Sequence, residues 1–496
     1  MHLTNSWHEN SGGIATFYRA LMAEANRRGQ PIRLVVPAAL DQIEEAGEFG
    51  RIYHIESPRS PLNPDYRTIY PLQFLFPQSK LQQILASERP DLVEISDKYT
   101  LNYLGALLRQ RLLDRVDFRP IVVGLSQERM DDNFRSYLGH IPFAQKFCSL
   151  YMRWLYFPFF DHHIANSDYT VSELRSAAEG QLVPRGTWIR PMGVDLGQLS
   201  PRRRSPELRR RLLQNFGCAE ESILLFYAGR LAPEKNLPLL FDLLIHLSRN
   251  SARDYRLLVA GDGIERRQWE KRCAQETPGR ALFLGHINSH NKDGHVLADL
   301  YANSDVFVHP NPREPFGIAP LEAMASGLPL VAPNTGGVAS YASAENAWIA
   351  EPDVESFSQA VENAVTNRVL ASEKTTKALA TARSYRWESV AASFLDLYCE
   401  LNRPPATQNS AAPKPAFYSS PAAGFRAVLM RGVSQLAARS FRLGSTVGSR
   451  LTSQSSSHPG PHVPSISYPR PGTPNHQLQS CEDRPVDSLS GMTVRH

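Results

Sequence analysis

The chain of 496 residues, 42% hydrophobic and 21% charged, is too long for one ordinary core and has the balance of a soluble globular protein with two domains plus extras. Its net charge of +5 is uneven: residues 403–496 hold 10 Lys and Arg against 3 Asp and Glu, so the body is close to neutral and the basicity belongs to the tail. That distribution argues against nucleic acid as a partner, and no apolar run approaches the ~20 residues of a membrane-spanning helix.

The opening MHLTNSWHENSGG lacks the basic flank and apolar run of a signal peptide. It begins almost inside a first short strand, which reads as a slightly truncated N-terminus. Gly12 and Gly13 follow that strand and precede a helical stretch over 16–29. Glycines there permit close backbone approach to a phosphate, and a tight strand–helix turn accounts for them equally well. Strand-like runs IRLVVP (32–37), DLVEIS (91–96), PIVVGLS (120–126) and DHHIANS (161–167) follow, with helical periodicity over 100–113. Between the last two lies HIPFAQKFCSLYMRWLYFPFF (140–160), dense in aromatics and poor in charge. A buried helix is the favoured account of it, and a docking surface for a lipid-linked acceptor is the second.

This first α/β set spans 1–195, and a basic, Pro-containing linker spans 196–221. A second set over 222–383 contains SILLFYAG (222–229), RLLVAGDG (256–263), ALFLGH (281–286), SDVFVHP (304–310) and LPLVAP (328–333). Strands alternating with helices imply parallel sheets with crossover helices. Two such units face a central cleft, and ligands bind beyond the carboxyl ends of the strands. The helical stretch 384–402 closes the fold. From 403 to 496 the Pro-, Ser- and Gly-rich text reads as mostly disordered. Within it, 425–447 spaces apolar residues and arginines near helical period, which fits a membrane-surface helix and a weakly helical linker about equally. Five cysteines (148, 218, 273, 399 and 481) show no paired spacing, which argues against a disulfide framework or zinc site and fits a reducing cytoplasm.

Chemistry concentrates in NPREPFGIAPLEAMASGLPLVAPNTGG (311–337). Pro315 and Pro320 frame the start of a short helix, and Gly327 with Pro329 stops it. Glu314 therefore falls on a loop at a helix N-terminus and Glu322 inside the helix. Exposed N–H groups at such an end attract oxyanions, and the two carboxylates accept hydrogen bonds from hydroxyls. A ligand with phosphate and sugar hydroxyls suits that combination. In AGRLAPEKN (228–236), Arg230 and Lys235 pair a bidentate guanidinium with a point-charge ammonium, a sensible clamp for a diphosphate.

The segment resembles the signature of family 4 of the retaining glycosyltransferases (glycosyl transferases group 1), whose fold is called GT-B. Glu314, Phe316, Gly317, Glu322, Ala323, Gly336 and Gly337 match its wording, and Gly229, Arg230, Leu231 and Lys235 match a second segment. The resemblance implies that Arg230 and Lys235 hold the leaving diphosphate, Glu314 the sugar hydroxyls and Glu322 the ribose. It also implies that the amides near Phe316–Ile318 offset phosphate charge and that Gly12 and Gly13 border donor and acceptor. By the same resemblance AGDG (260–263) and LGHI (284–287, with Gly285) line the nucleotide pocket. As a dinucleotide fingerprint AGDG is incomplete, which disfavours a dehydrogenase. HIANSDYTVSEL (163–174) and PMGVD (191–195) match as well and are expected to shape the domain interface.

One departure stands out. Many relatives carry a histidine after the strand equivalent to PIVVGLS, where this chain continues Ser126, Gln127, Glu128 and Arg129. His162 and His163 lie nearby in sequence, and a histidine in a strand is more often structural. The expected activity is retaining, metal-independent hexosyl transfer from a nucleotide-diphosphate sugar, without a further cofactor, to a hydroxyl of a glycan or lipid-linked acceptor. That places the chain in polysaccharide or glycolipid biosynthesis, in the cytoplasm or peripherally on the inner membrane face. A GT-B sugar-nucleotide epimerase and a membrane-associated scaffold that has lost catalysis are the alternatives.

Overall fold

Two parallel sheets organise the chain. The computed structural model describes residues 1–7, 12–61, 66–139, 141–179, 186–215, 217–287 and 294–403. The basic stretch 425–447 and the rest of the tail lie outside the described residues.

The first sheet contains β1 (His2–Leu3), β2 (Ile32–Ala38), β3 (Gln42–Glu45), β4 (Gly50–Glu56), β5 (Leu92–Ile95), β6 (Ile121–Ser126), β7 (His162–Ala165) and β8 (Gly186–Ile189). Their order is β3-β4-β2-β1-β5-β6-β7-β8. All neighbours are parallel except β3 and β4. The second sheet contains β9 (Ile223–Ala228), β10 (Tyr255–Ala260), β11 (Ala281–Gly285), β12 (Val306–Val308), β13 (Leu330–Pro333) and β14 (Trp348–Ala350). It runs β11-β10-β9-β12-β13-β14, parallel throughout.

Strands covered by helices on both faces must be apolar nearly throughout, and ILLFYA of β9 is buried over its four central residues. Each sheet reverses direction beside its first strand. His2 pairs with Leu34 on one side and Glu94 on the other, and Phe226 pairs with Leu258 and Phe307. At such a switch point the two flanking connections leave in opposite directions and open a crevice at the strand ends. The Gly12–Gly13 turn follows β1, the Arg230–Lys235 segment follows β9, and the Glu314 loop follows β12.

The linker is docked rather than free. Arg203 pairs with Asp299 at 2.8 Å and Arg209 with Asp305 at 2.8 Å, which lays the Pro206–Asn215 helix on the second domain. At the other end the Trp387–Leu401 helix returns to the first domain. Phe394 packs edge-on against Phe17 with centroids 4.8 Å apart, and the Tyr398 hydroxyl bonds to Glu94 of β5. Among the described residues no helix is long and apolar enough to cross a membrane.

The aromatic segment departs from expectation. The Ala144–Tyr151 helix runs on into a wider π-type turn over Met152–Tyr156. Only one face is covered, by burial of Cys148, Tyr151, Met152 and Tyr156, while Phe143, Phe147, Leu150 and Trp154 are exposed. A stretch apolar on both faces gave no alternation from which to read this.

The returning helix should carry measurable stability. Phe394 is fully buried, so Phe394→Ala is expected to cost about 3–5 kcal/mol from lost transfer energy and the cavity left behind. A shift in urea unfolding under ~1 kcal/mol would mean that the helix is not packed as described.

Candidate active site

Lys235 and Glu314 are 79 residues apart in sequence and meet at the end of β9 and β12. The ammonium donates to both carboxylate oxygens, at 2.9 Å to Oε1 and 2.8 Å to Oε2. Asn311 Nδ2 adds a third bond to Oε2 at 3.0 Å. Asn236, in a left-handed conformation, donates to the Pro310 carbonyl at 2.8 Å and so ties the two loops together. Burial alone would raise the Glu314 carboxyl. Lys235, the neighbouring His309 and the Asn311 amide outweigh it and bring the carboxyl down to about 2, so the group is a carboxylate at any physiological pH.

Gly317 caps the Ile318–Ala325 helix with φ +88°, a conformation that side chains resist. Its carbonyl accepts the Tyr341 hydroxyl. The first turn of this helix, with N–H groups that lack helical partners, lies beside the Glu314 loop. Gly13 approaches from the other domain. A Cβ there would stand 2.2 Å from Ile318 Cδ1, whereas one at Gly12 would meet nothing within 4 Å. The structure therefore brings the glycine turn of the first domain against the helix end of the second.

Glu322 lies one turn along that helix and accepts the Tyr301 hydroxyl at 2.7 Å. Burial lifts its carboxyl above the usual value, Tyr301 opposes the rise, and Asp195 of the PMGVD loop adds to it. Phe316 is 2% exposed and packs on Tyr341 and Tyr385, so its ring holds the loop in place and only its backbone can meet a ligand. Gly285 ends β11, where its carbonyl accepts Gly261 N at 2.8 Å.

Arg230 takes a different partner from Lys235. Its guanidinium meets Glu234 Oε1 at 2.9 Å with the side chain 61% exposed. Tyr137 of the first domain donates to Glu234 Oε2 at 2.6 Å, so this carboxylate joins the guanidinium to the opposite wall of the cleft. A second bridge runs behind Glu314: Ser167 Oγ and Thr170 Oγ1 both donate to the Pro315 carbonyl, at 2.5 and 3.1 Å.

In place of the histidine, Ser126 is fully buried and its hydroxyl donates to the Glu128 carbonyl at 3.2 Å. Gln127 directs its amide at Met192 Sδ, 3.9 Å away. Glu128 accepts from Asn133 at 3.0 Å. Burial raises its carboxyl, against Lys98, Asn133 and Arg230 across the cleft. His163 is buried, stacked on Phe157 at 4.5 Å and bonded to its carbonyl, with burial bringing the imidazole down to about 3. That is a core histidine, and His162 beside it is buried too.

Several contributors escaped the sequence reading. His309, Asn311, Tyr301, Glu234 and Tyr137 carry no signature by spacing. His309 closes a strand and Asn311 opens the motif, and that adjacency was the only available signal.

The matches with known proteins fall on these same halves. Residues 11–197 match the model of glycosyltransferase family 4, and residues 209–383 match that of glycosyl transferases group 1. The chain belongs to family 4 of the glycosyltransferases. This family 4 glycosyltransferase is 28% identical over 400 residues, 80% of its own length and 94% of the relative, to a GDP-mannose-dependent alpha-(1-6)-phosphatidylinositol dimannoside mannosyltransferase of Mycobacterium tuberculosis. It is 28% identical over 376 residues, 75% and 88% of the two chains, to a GDP-mannose-dependent alpha-mannosyltransferase of the same species. In fold it matches sucrose-phosphate synthase from Thermosynechococcus elongatus with TM-score 0.62 at 20% identity, covering 81% of this chain and 98% of the other. It also matches Anabaena HepE in complex with UDP and glucose, with TM-score 0.59 at 17% identity over 80% and 98%. The architecture is GT-B, and the protein is a glycosyltransferase that uses a nucleotide sugar.

The buried His309, 6% exposed, gives the site a pH signature. Burial, opposed by Glu314, brings its imidazole from 6.5 to about 4. Between those values the unfolded chain binds a proton that the folded chain refuses, so stability falls as pH drops through that window. His309→Gln is expected to flatten this acid limb by up to ~3 kcal/mol. Urea titrations of both proteins across the window check it, and parallel profiles would rule out the buried neutral imidazole.

Proposed function

We propose that this glycosyltransferase moves a hexose, with mannose from GDP-mannose favoured, to a hydroxyl of a glycan or lipid-linked acceptor, with retention of anomeric configuration. The observation that carries this reading is the Lys235–Glu314 pair set beneath the helix end that Gly13 faces. The relative named for phosphatidylinositol dimannoside supports a guanine donor and a lipid-linked acceptor. The chain then makes peripheral contact with the bilayer that bears the acceptor.

As the glycosidic bond breaks, negative charge gathers on the departing diphosphate and positive charge on the sugar. Arg230, Lys235 and the amides of Phe316–Ile318 offset the first, in a cleft where oriented charges act more strongly than in water. Glu314 orients the sugar hydroxyls and steadies the oxocarbenium character by its fixed negative charge. Glu322, with Oε2 already satisfied by Tyr301, offers its other oxygen to the ribose. A same-face substitution with internal return, without a covalent intermediate on a second carboxylate, is the course this reading takes. Metal is not required in this reading, because the two cations supply the charge.

Lys235→Ala and Arg230→Ala are each expected to lower kcat roughly 100-fold or more, and near-normal turnover in both would remove the clamp. Glu322→Ala is expected mainly to raise the donor KM, because ribose contacts hold ground and transition states alike; a pure turnover defect contradicts that role. The reaction itself is tested with GDP-mannose, UDP-glucose and ADP-glucose, with and without a lipid-linked acceptor and with EDTA. The expected product is an α-mannoside formed only with acceptor and unaffected by chelation. An epimerised nucleotide sugar made without acceptor, or no binding of any donor, would overturn the reading.

A further inference from the structure

The Ala144–Tyr151 helix, the residue before it and the turn after it carry an apolar stripe that the described chain leaves about half open or more. Phe143, Phe147, Leu150 and Trp154 succeed one another at steps of four, three and four, the spacing of a single helical face. They are 80%, 58%, 48% and 56% exposed. More than half of the large apolar side chains exposed among the described residues fall between Tyr137 and Leu155. A concentration of this kind on a folded surface marks a contact site.

Charge narrows the partner. From Asn133 to Phe160 the chain holds Arg135, Lys146 and Arg153 and not one Asp or Glu. Arg153 lies over the Trp154 ring at 5.5 Å, and Lys146 is exposed on the stripe's helix. The acids of the neighbouring helix, Asp131 and Asp132, are taken up by Arg129 and Tyr169, so a row of Phe, Leu and Trp beside Lys146 and Arg153 fits the boundary between acyl chains and anionic headgroups, where Trp and basic side chains concentrate.

Position gives the contact a purpose. Phe147 stacks on Phe134 of the neighbouring Met130–Leu138 helix, centroids 6.2 Å apart. Tyr137 of that same helix is the residue that reaches Glu234 across the cleft. The stripe thus lies one helix away from the mouth of the candidate active site.

We infer that the Phe143–Trp154 face docks on the surface of an anionic lipid bilayer. The inference deepens the reading above by naming where a lipid-linked acceptor meets the enzyme, but its test needs no sugar transfer, so either can fail alone. The full chain is floated with vesicles of phosphatidylcholine mixed with phosphatidylglycerol and with vesicles of phosphatidylcholine alone. The unsubstituted protein is expected to rise with the anionic vesicles and less with the neutral ones. F147D/W154D is expected to lower that partitioning by ~10-fold or more, with the circular dichroism of the folded protein retained, because both side chains are more than half exposed. The conservative W154F keeps the binding and loses most of the quenching by brominated lipid. Three results would overturn the inference. One is unbound wild-type protein, and another is F147D/W154D floating like the wild type, which would assign the contact to the basic tail. The third is a concentration-dependent dimer that the same substitutions dissolve, which would make a second copy the occupant.

Discussion

A carboxylate that stays ionised although largely shielded from water constrains the second domain of this molecule. Burial pushes the Glu314 carboxyl up, and an uncompensated buried charge is costly. Compensation comes from Lys235 with two bonds and from Asn311 with one. Lys235 follows β9, and Asn311 and Glu314 follow β12, strands that are neighbours in the sheet only because the order reverses there. The switch in topology is therefore what makes the ion pair possible. A sheet in simple sequence order would separate the two connections by the width of the intervening strands.

The loop that carries Glu314 is also held from the other domain. Ser167 and Thr170 grip the Pro315 carbonyl, and Gly13 closes on Ile318. At the rear, Val194 N donates to the Tyr385 carbonyl at 2.8 Å, where the chain turns back into its last helix. The two domains thus share a backbone contact, a hydroxyl grip and a steric fit, and the last two bear directly on the segment between Glu314 and Ile318. Mannosyl transfer as proposed needs donor and acceptor aligned to within fractions of an ångström, and a loop fixed from both walls supplies that alignment.

How much of this was legible depended on whether a feature left a local pattern. Strands buried on both faces read as apolar runs, so β2, β5, β9 and β10 were visible in IRLVVP, DLVEIS, SILLFYAG and RLLVAGDG. The exposed edge strand β3 has the sequence QIEE, exposed throughout, and β8 is only half-buried along its length; neither has a hydrophobic signature. Glu314, Glu322, Arg230 and Lys235 stood out because their motifs are dense. His309, Tyr301 and Tyr137 reach the site through tertiary contacts of single residues, which no spacing rule detects. The 140–160 segment misled for a related reason: an apolar helix gives no polar face, so composition alone implied cover that the packing does not provide.

The two cations of the clamp are not equivalent, and the difference follows from burial. Lys235 is 18% exposed and locked to a carboxylate 13% exposed, while Arg230 is 61% exposed. The Arg230 end of its pair is open to water, while its partner Glu234 is only 13% exposed. In the reading proposed above, Arg230, held only from its solvent-open side, turns from Glu234 to the diphosphate, whereas moving Lys235 would strand a buried charge. Glu234 does not stand alone when that happens, since Tyr137 still donates to its other oxygen. The guanidinium is thus the adjustable member of the pair and the ammonium the fixed one.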